Sequence, residues 1–190
     1  MSDMRTQLLK AAAQLFAERG YDAVSMRDIA KVVGVTQANL YYHFQDKADL
    51  IQSTLARVFE TRAEHLSAWL TDHPEDQLGA FVRWLVGELM ADPVFAGLFY
   101  RELLAADADR LGALSRTVLQ APFRSVVDAI DGAPLAGPAE ATALSLVGFI
   151  VGQVLVLPLG PGLTGQDLSA ETPDAVAVRV LTLLLPALRA

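Results

Sequence analysis

Residues 25–47, SMRDIAKVVGVTQANLYYHFQDK, determine the fold of the N-terminal part of this chain. Ser25 is a good N-cap residue, and Asp28 three positions later completes the pattern of a capping box. Apolar residues then recur at helical spacing until Gly34, where a helix can end in a left-handed residue. Thr36 is placed to cap a second helix. The stretch therefore predicts two short helices joined by a tight turn, which is a helix-turn-helix.

The second predicted helix has two anchoring residues and an otherwise exposed polar and aromatic surface. Leu40 and Phe44, four residues apart, are expected to pack on the core. The remaining side chains provide amides, hydroxyls and rings that suit the base edges of the major groove. These candidate DNA-contacting residues are Thr36, Gln37, Asn39, Tyr41, Tyr42 and His43. The pattern favours sequence-specific binding to duplex DNA, and simple packing remains an alternative role for the Tyr41 ring.

Helices this short need support from neighbouring segments. A preceding helix over about residues 3–19 carries an apolar stripe and ends at Gly20. A following helix begins after Asp46 in the pattern D-x-x-D. Together these segments predict a compact helical module of roughly fifty residues.

Residues 11–50, AAAQLFAERGYDAVSMRDIAKVVGVTQANLYYHFQDKADL, resemble the TetR (tetracycline-repressor) family of bacterial transcription regulators. The resemblance implies that residues 37–43 read the major groove and that Ser25 and Arg27 contact phosphates. It also implies that Lys47, at the start of the next helix, grips the DNA backbone. Ala38 departs from the larger residue or proline of some family members, so the operator sequence does not carry over.

The charge of the chain is unevenly distributed. The formal net charge is −7, yet residues 1–50 carry six Lys and Arg against six Asp and Glu. The whole deficit lies in the remaining residues, which leaves a neutral N-terminal module to approach phosphates. A neutral module is expected to have only modest affinity for DNA of arbitrary sequence. Tight binding should therefore need two modules bound together.

Several classes of function are disfavoured by composition. The chain has no cysteine, which excludes a disulfide scaffold, and His43, His65 and His73 are too far apart in sequence to indicate a metal site. No nucleophile and base pair or paired carboxylates emerge, so no enzyme, cofactor or metal is predicted. The start MSDMRTQLL lacks the pattern of a secretory signal, and we expect a cytoplasmic location.

Beyond the fourth helix the pattern predicts further helices over residues 75–91, 93–105, 107–130, 139–157 and 173–188. Pro122 should kink or split the helix that contains it. The segments 132–140 and 158–171, rich in glycine and proline, are expected to be loops, the second of them mobile, and the second lacks the pattern of a phosphate-binding loop. The fold class is all-α with about nine helices, divided into a DNA-binding domain, residues 1–48, and a larger helical domain, residues 49–190.

The last two helices are almost wholly apolar. Residues 139–157 fall at the short end of the length that crosses a bilayer, so a membrane hairpin is one alternative. The interpretation we favour is a buried pair that forms a four-helix bundle with a second protomer, as the family resemblance also implies. The candidate dimer residues are Leu144, Val147, Gly148, Val151, Leu155, Val176, Val180, Leu183 and Leu184.

The family resemblance further implies that the larger domain binds a small effector. Aromatic walls with a few polar groups are typical of such pockets, although aromatic residues at helical spacing more often form a core. The candidate ligand-binding residues are His65, Trp69, Trp84, Phe99, Arg101, Phe123, Phe149 and Gln153. Because acids are scarce in the apolar stretches, the expected effector is apolar and neutral or anionic.

The sequence thus predicts a homodimeric, ligand-responsive regulator, with repression of a palindromic operator as the expected output. The main alternative is a helical protein-interaction module without DNA binding. That alternative predicts no Arg or Lys close to residues 37–43, the second helix of the helix-turn-helix.

Overall fold

The computed structural model describes residues 4–105, 107–130 and 137–188, and all regular secondary structure in these ranges is helical. The α-helices are α1 Met4–Arg19, α2 Met26–Val33, α3 Gln37–His43, α4 Lys47–Thr71, α5 Gln77–Ala91, α6 Pro93–Ala105, α7 Ala108–Leu114, α8 Gln120–Ile130, α9 Ala139–Val156, α10 Gly160–Thr164 and α11 Pro173–Leu188. A π-helical turn, Ser115–Leu119, joins α7 to α8, and a 3₁₀ turn, Leu157–Leu159, joins α9 to α10. With each joined pair counted as one helix, the described residues form nine helices, which confirms the predicted all-α class.

The helix that contains Pro122 is not split, but its winding changes just before the proline. A proline cannot donate a hydrogen bond to the carbonyl four residues earlier, which here belongs to Val118. Val118 lies inside the π-helical turn Ser115–Leu119, directly before α8. The effect is therefore a local change of helical winding rather than a loop.

The prediction of a mobile loop over residues 158–171 is wrong. This segment contains α10 and a second 3₁₀ turn, Leu168–Ala170. Gly165 ends α10 with φ 72°, a left-handed conformation that favours glycine. A Cβ atom on Gly160 would lie 2.9 Å from Cβ of Leu168, so close packing within the segment depends on that glycine. Most of the other predicted loop, residues 132–140, lies outside the described residues.

The chain forms two compact units, which divide it differently from the predicted boundary at residue 48. The first unit comprises Met1–Ala63 and Asp92–Gln120, and the second comprises Glu64–Ala91 and Ala121–Ala190. The first unit thus joins the helix-turn-helix segment to α6, α7 and the adjoining π-helical turn. The boundary predicted between residues 48 and 49 remains a prediction about where DNA-binding function ends.

The core of the first unit is built around the helix-turn-helix. Helix α1 packs against α2 and α6, and α2 packs against α3. The side chains of this core that are exposed by 2% or less include Leu8, Phe16, Ile29, Leu40, Phe44, Leu50, Ile51, Leu55 and Leu98. Removing this much apolar surface from water is the main stabilising term for helices too short to be stable alone.

In the second unit α5 packs against α9 and α11, which also contact each other. One face of α9 is buried there, through Ala143, Leu146, Ile150 and Val154. The continuous helix from Ala139 to Thr164 is long and apolar enough to span a bilayer, with a mean hydropathy of 2.1, and 39% of its most apolar stretch is buried. A core helix of a globular protein meets the same criteria, so length and composition alone do not assign a membrane.

Candidate nucleic-acid interface

The start of α2 has the predicted capping box. The Ser25 hydroxyl oxygen accepts a hydrogen bond from the Asp28 amide at 3.2 Å, and the Asp28 carboxylate accepts from the Ser25 amide at 2.9 Å. The Ser25 hydroxyl also donates to Asp28 Oδ2 at 2.5 Å. These hydrogen bonds from Ser25 hold the pKa of Asp28 below its ordinary value, because they stabilise the carboxylate.

This geometry limits the phosphate contact that the resemblance assigned to Ser25. A phosphate oxygen only accepts hydrogen bonds, and the single hydroxyl proton of Ser25 is already given to Asp28. The first helical residues after the cap, Met26 and Arg27, have amides without an intrahelical acceptor, as at the start of any helix. We therefore expect a phosphate at this helix end to meet those amides and the exposed Arg27 side chain.

The turn between α2 and α3 has the expected left-handed residue. Gly34 has φ 77° and ψ 28°, and its amide donates back into the last turn of α2. Thr36 caps α3 by accepting from the Asn39 amide at 3.2 Å. Unlike the Ser25 hydroxyl, the Thr36 hydroxyl only accepts in this cap, so its proton remains available to a phosphate.

Helix α3 is anchored on one side and exposed on the other. Leu40 is fully buried and Phe44, just past the helix, is 1% exposed. Tyr42 is 84% exposed and Tyr41 is 49% exposed. Gln37, Ala38 and Asn39 are exposed as well, and His43 is half-buried with its ring edge-on to Tyr42. Of the predicted groove-reading residues, five are exposed and His43 is half-buried.

Basic residues lie on the two helices that flank α3 in the chain, and one of these, α2, packs against it. Arg27 and Lys31 are exposed on α2, and Lys47 is the first residue of α4. Lys47 Nζ lies over the Tyr21 ring, 4.1 Å from its centroid. The protein-interaction alternative predicted that such residues would be missing, so these side chains favour DNA as the partner.

The predicted ligand-binding residues are divided between the two units. In the second unit Trp84, Phe123, Phe149 and Gln153 are half-buried, whereas His65 is exposed. Trp69 is 37% exposed, and its indole donates to the Ala80 carbonyl at 2.9 Å. The Trp84 indole nitrogen is buried without a hydrogen-bond partner. In the first unit Phe99 contacts Phe59 and Phe95 in an aromatic cluster.

Arg101 makes two hydrogen bonds with a structural role, and its place in a ligand site stays a prediction. Its Nε donates to the Ala17 carbonyl and its Nη2 donates to the Glu18 carbonyl, each at 2.8 Å. A guanidinium at the C-terminal end of α1 also interacts favourably with the negative end of the helix dipole. The separation of more than eighty residues between the partners hid this role from sequence patterns.

The predicted dimer residues fall into two groups. Leu144, Gly148, Leu155 and Leu183 are exposed, and Val147 and Leu184 are half-buried. Three others belong to the core of the protomer, because Val151 is 8% exposed and both Val176 and Val180 are fully buried. Periodicity alone could not assign these residues, because α9 and α11 are almost wholly apolar.

The sequence interpretation missed a cluster around Tyr21. Arg110 Nε lies 2.5 Å from Glu102 Oε2, and Arg110 Nη1 lies 2.9 Å from Asp107 Oδ2. Burial by itself would lower the pKa of Arg110, but the hydrogen bond and charge of Glu102, with the charge of Asp107, raise it above the ordinary value. The Arg110 guanidinium also lies over the Tyr21 ring, 5.4 Å from its centroid. Only the acids near Arg110 in sequence hinted at this cluster.

Within the described ranges, no group of three or more His, Cys, Asp or Glu side chains is arranged to hold a metal ion. The features that are present are an anchored, outward-facing second helix, a capped first helix and nearby basic side chains. Such a combination defines a helix-turn-helix DNA-binding protein.

Comparison with known proteins agrees with this class. Residues 8–54 match the family described as bacterial regulatory proteins, tetR family. Over 93 residues the chain is 33% identical to the transcriptional regulator TtgR of Pseudomonas putida, which covers 47% of this chain and 44% of that protein. Over 74 residues it is 39% identical to the transcriptional repressor BepR of Brucella suis, which covers 38% of this chain and 35% of that one. These matches thus span less than half the length of either relative.

The fold of the whole chain also has a solved counterpart. The transcriptional regulator FadR from Bacillus subtilis, solved in complex with stearoyl-CoA, superposes with a TM-score of 0.76 over 95% of this chain and 97% of that one, at 19% identity. Residues 8–54 thus carry the helix-turn-helix segment of the TetR family of transcription regulators. This match agrees with the resemblance that residues 11–50 indicated.

Proposed function

We propose that this protein represses transcription by binding a near-palindromic operator as a homodimer, and that a small apolar effector releases it. The observation that carries the proposal is the outward surface of α3, where Leu40 and Phe44 are buried and Tyr42 is 84% exposed. A dimer would place two such helices in successive major grooves, roughly 34–36 Å apart. Repression requires only that the bound dimer block a promoter, and BepR is itself a repressor.

The DNA-binding step is tested by selecting bound sequences from random duplexes with the full chain. With the selected operator, Gln37→Ala and Tyr42→Ala should each weaken specific binding about 5- to 150-fold, as expected when a base contact worth about 1–3 kcal/mol is lost. Gln166→Ala, at an exposed position in the second unit, is the matched control and should leave affinity unchanged. Equal affinity of all three variants at fixed salt would contradict the groove assignment.

The dimer is supported by apolar side chains that one protomer leaves uncovered. On α9 and the turn after it, Leu144 is 66% exposed, Leu155 is 48% exposed and Leu159 is 57% exposed. On the neighbouring α11, Val178 is 48% exposed and Leu183 is 56% exposed. Exposed apolar side chains on two adjacent helices of a regulator are typical of a subunit interface.

The interface is tested by charge insertion and sedimentation. Leu144→Glu should convert the dimer to monomers. Because tight operator binding needs two DNA-binding modules, the variant should also abolish that binding. Leu104→Glu changes a leucine that is 79% exposed on α6, and it should stay dimeric. If both variants sediment as the unchanged chain does, α9 is not the interface.

The effector proposal is supported by the environment of Trp84. A buried indole N–H without an acceptor costs about 1–3 kcal/mol, which a ligand carrying an acceptor would recover. Phe123, Phe149 and Gln153 in the same unit are half-buried and supply apolar surface and one amide. The effector class we propose is an apolar molecule with a hydrogen-bond acceptor, a description that fits an acyl chain with a polar end group, such as the stearoyl-CoA bound by FadR.

Screening compounds for release of the operator complex provides the test. Trp84→Phe should raise the concentration needed for release without changing operator affinity. Trp69→Phe removes the same indole group where it already donates to Ala80, and it should leave the response unchanged. An unchanged response of Trp84→Phe would exclude this contact. A regulator with this role acts on the chromosome, so the cytoplasm is its proposed location.

A further inference from the structure

Two cations lie over the ring of Tyr21, in the connection between α1 and α2. Lys47 Nζ is 4.1 Å and Arg110 Cζ is 5.4 Å from the ring centroid. The ring also contacts Phe16, with centroids 6.0 Å apart. All of these residues belong to the first unit. Tyr21 therefore links the start of α4 to the beginning of α7.

The Arg110 side of this contact is fixed. The Arg110 side chain is 15% exposed and that of Glu102 is 7% exposed, and they form an ion pair. Asp107 holds the same guanidinium from the α7 cap. A buried, doubly paired guanidinium has few alternative positions. Arg110 and Phe16 together hold the Tyr21 ring in place.

The Lys47 side needs such support. Lys47 is the first residue of α4, where the positive end of the helix dipole disfavours a cation. A free lysine side chain also loses much rotamer freedom when it is held on a phosphate. Contact with the negative face of an aromatic ring opposes both effects.

We propose that Tyr21 is the positioning residue for Lys47, and that Arg110, held by Glu102, fixes Tyr21 for this task. The proposal rests on the proposed function, because it assumes that Lys47 contacts a DNA phosphate. It deepens that function because it connects α6 and α7, through Tyr21, to the contact between Lys47 and the DNA backbone. This connection does not involve α3, the helix proposed to read the bases. A shift of Arg110 would alter the grip on DNA without altering the bases read.

The test measures operator affinity of the full chain over a range of NaCl concentrations. Tyr21→Leu should weaken binding about two- to five-fold, the range expected for loss of one exposed cation–π contact. The negative slope of log affinity against log salt should also become shallower by up to about one, because one phosphate contact is lost. Lys47→Ala should change the slope in the same way. Tyr21→Phe keeps the aromatic ring and should have the same operator affinity and the same salt slope as the unchanged chain.

The double variant Tyr21→Leu with Lys47→Ala should bind no more weakly than Lys47→Ala alone. Additive losses, or a Tyr21→Leu variant with the original salt slope, would overturn the positioning role. An unchanged chain that shows no salt-dependent binding to any duplex would instead overturn the proposed function. The two failures are thereby distinguished.

A second variant keeps the proposal testable if Tyr21→Leu does not fold. Glu102→Gln leaves Tyr21 and Lys47 intact but removes the more buried of the two carboxylate charges that hold Arg110. It should reduce affinity and salt slope in the same direction as Tyr21→Leu, with no further loss when Lys47→Ala is added. Leu104→Ala, at an exposed position of α6, is the control. A Glu102→Gln variant with unchanged slope would remove Arg110 from the proposal.

Discussion

Replacing Arg101 by alanine separates a structural role of this residue from a role in ligand binding. Its guanidinium donates to the carbonyls of Ala17 and Glu18, both at 2.8 Å, at the C-terminal end of α1. Hydrogen bonds from a charged donor contribute about 1.5–3 kcal/mol each, but the Arg101 side chain is largely exposed and water screens part of that value. We therefore expect Arg101→Ala to lower the free energy of unfolding by about 1.5–3 kcal/mol in total.

The loss is measured by urea unfolding and by thermal unfolding followed by circular dichroism. For a chain of this length it corresponds to a fall in Tm of about 3–12 °C. Arg101→Lys keeps the charge but cannot donate to both carbonyls with a rigid planar group. Its free energy of unfolding should therefore lie between those of Arg101→Ala and the unchanged chain. The exposed Arg124 provides a control, since Arg124→Ala should change stability by less than about 0.5 kcal/mol.

The same variant also addresses the effector. If Arg101 only holds α1, Arg101→Ala should show the lower stability and an unchanged effector concentration for operator release, measured at a temperature where it is folded. An Arg101→Ala variant with the original unfolding free energy but a lost effector response would refute the structural interpretation and restore the ligand role.

Four further predictions concern local structure. Ser25→Ala should cost about 0.5–2 kcal/mol in urea unfolding, because the α2 cap is lost, and an unchanged unfolding midpoint would contradict this. Because the pKa of Asp28 is lowered in the folded state, its contribution is fully present above the ordinary value of 3.8 and is lost as pH falls through the lowered pKa. Asp28→Asn should therefore flatten the acid side of the curve of stability against pH, and a parallel curve would exclude this source. Gly34→Ala should cost about 1–2 kcal/mol, measured the same way, because φ at this residue is 77°. Leu146→Ala should cost about 2–5 kcal/mol in a monomeric background, whereas Leu144→Ala, two positions earlier but 66% exposed, should cost little, and equal losses would contradict the burial of α9.

The two sites differ in how far the sequence anticipated them. The exposed face of α3 was predicted residue by residue, because Leu40 and Phe44 anchor it by spacing alone. The ligand-binding residues were predicted from composition and family resemblance, and the structure divides them between two units. Apolar walls can be recognised in a sequence, but which of them meet depends on helix packing that composition does not encode.

The sequence by itself determined the local architecture of this protein. The cap at Ser25, the left-handed turn at Gly34, the cap at Thr36 and the change of winding before Pro122 depend on interactions within about five residues, where side-chain type and spacing are sufficient. Only the tertiary structure decided which side of α9 and α11 is buried and where Arg101 points. Those outcomes depend on partners far along the chain, because a helix that is almost wholly apolar, or a long charged side chain, is compatible with several neighbours until packing selects one.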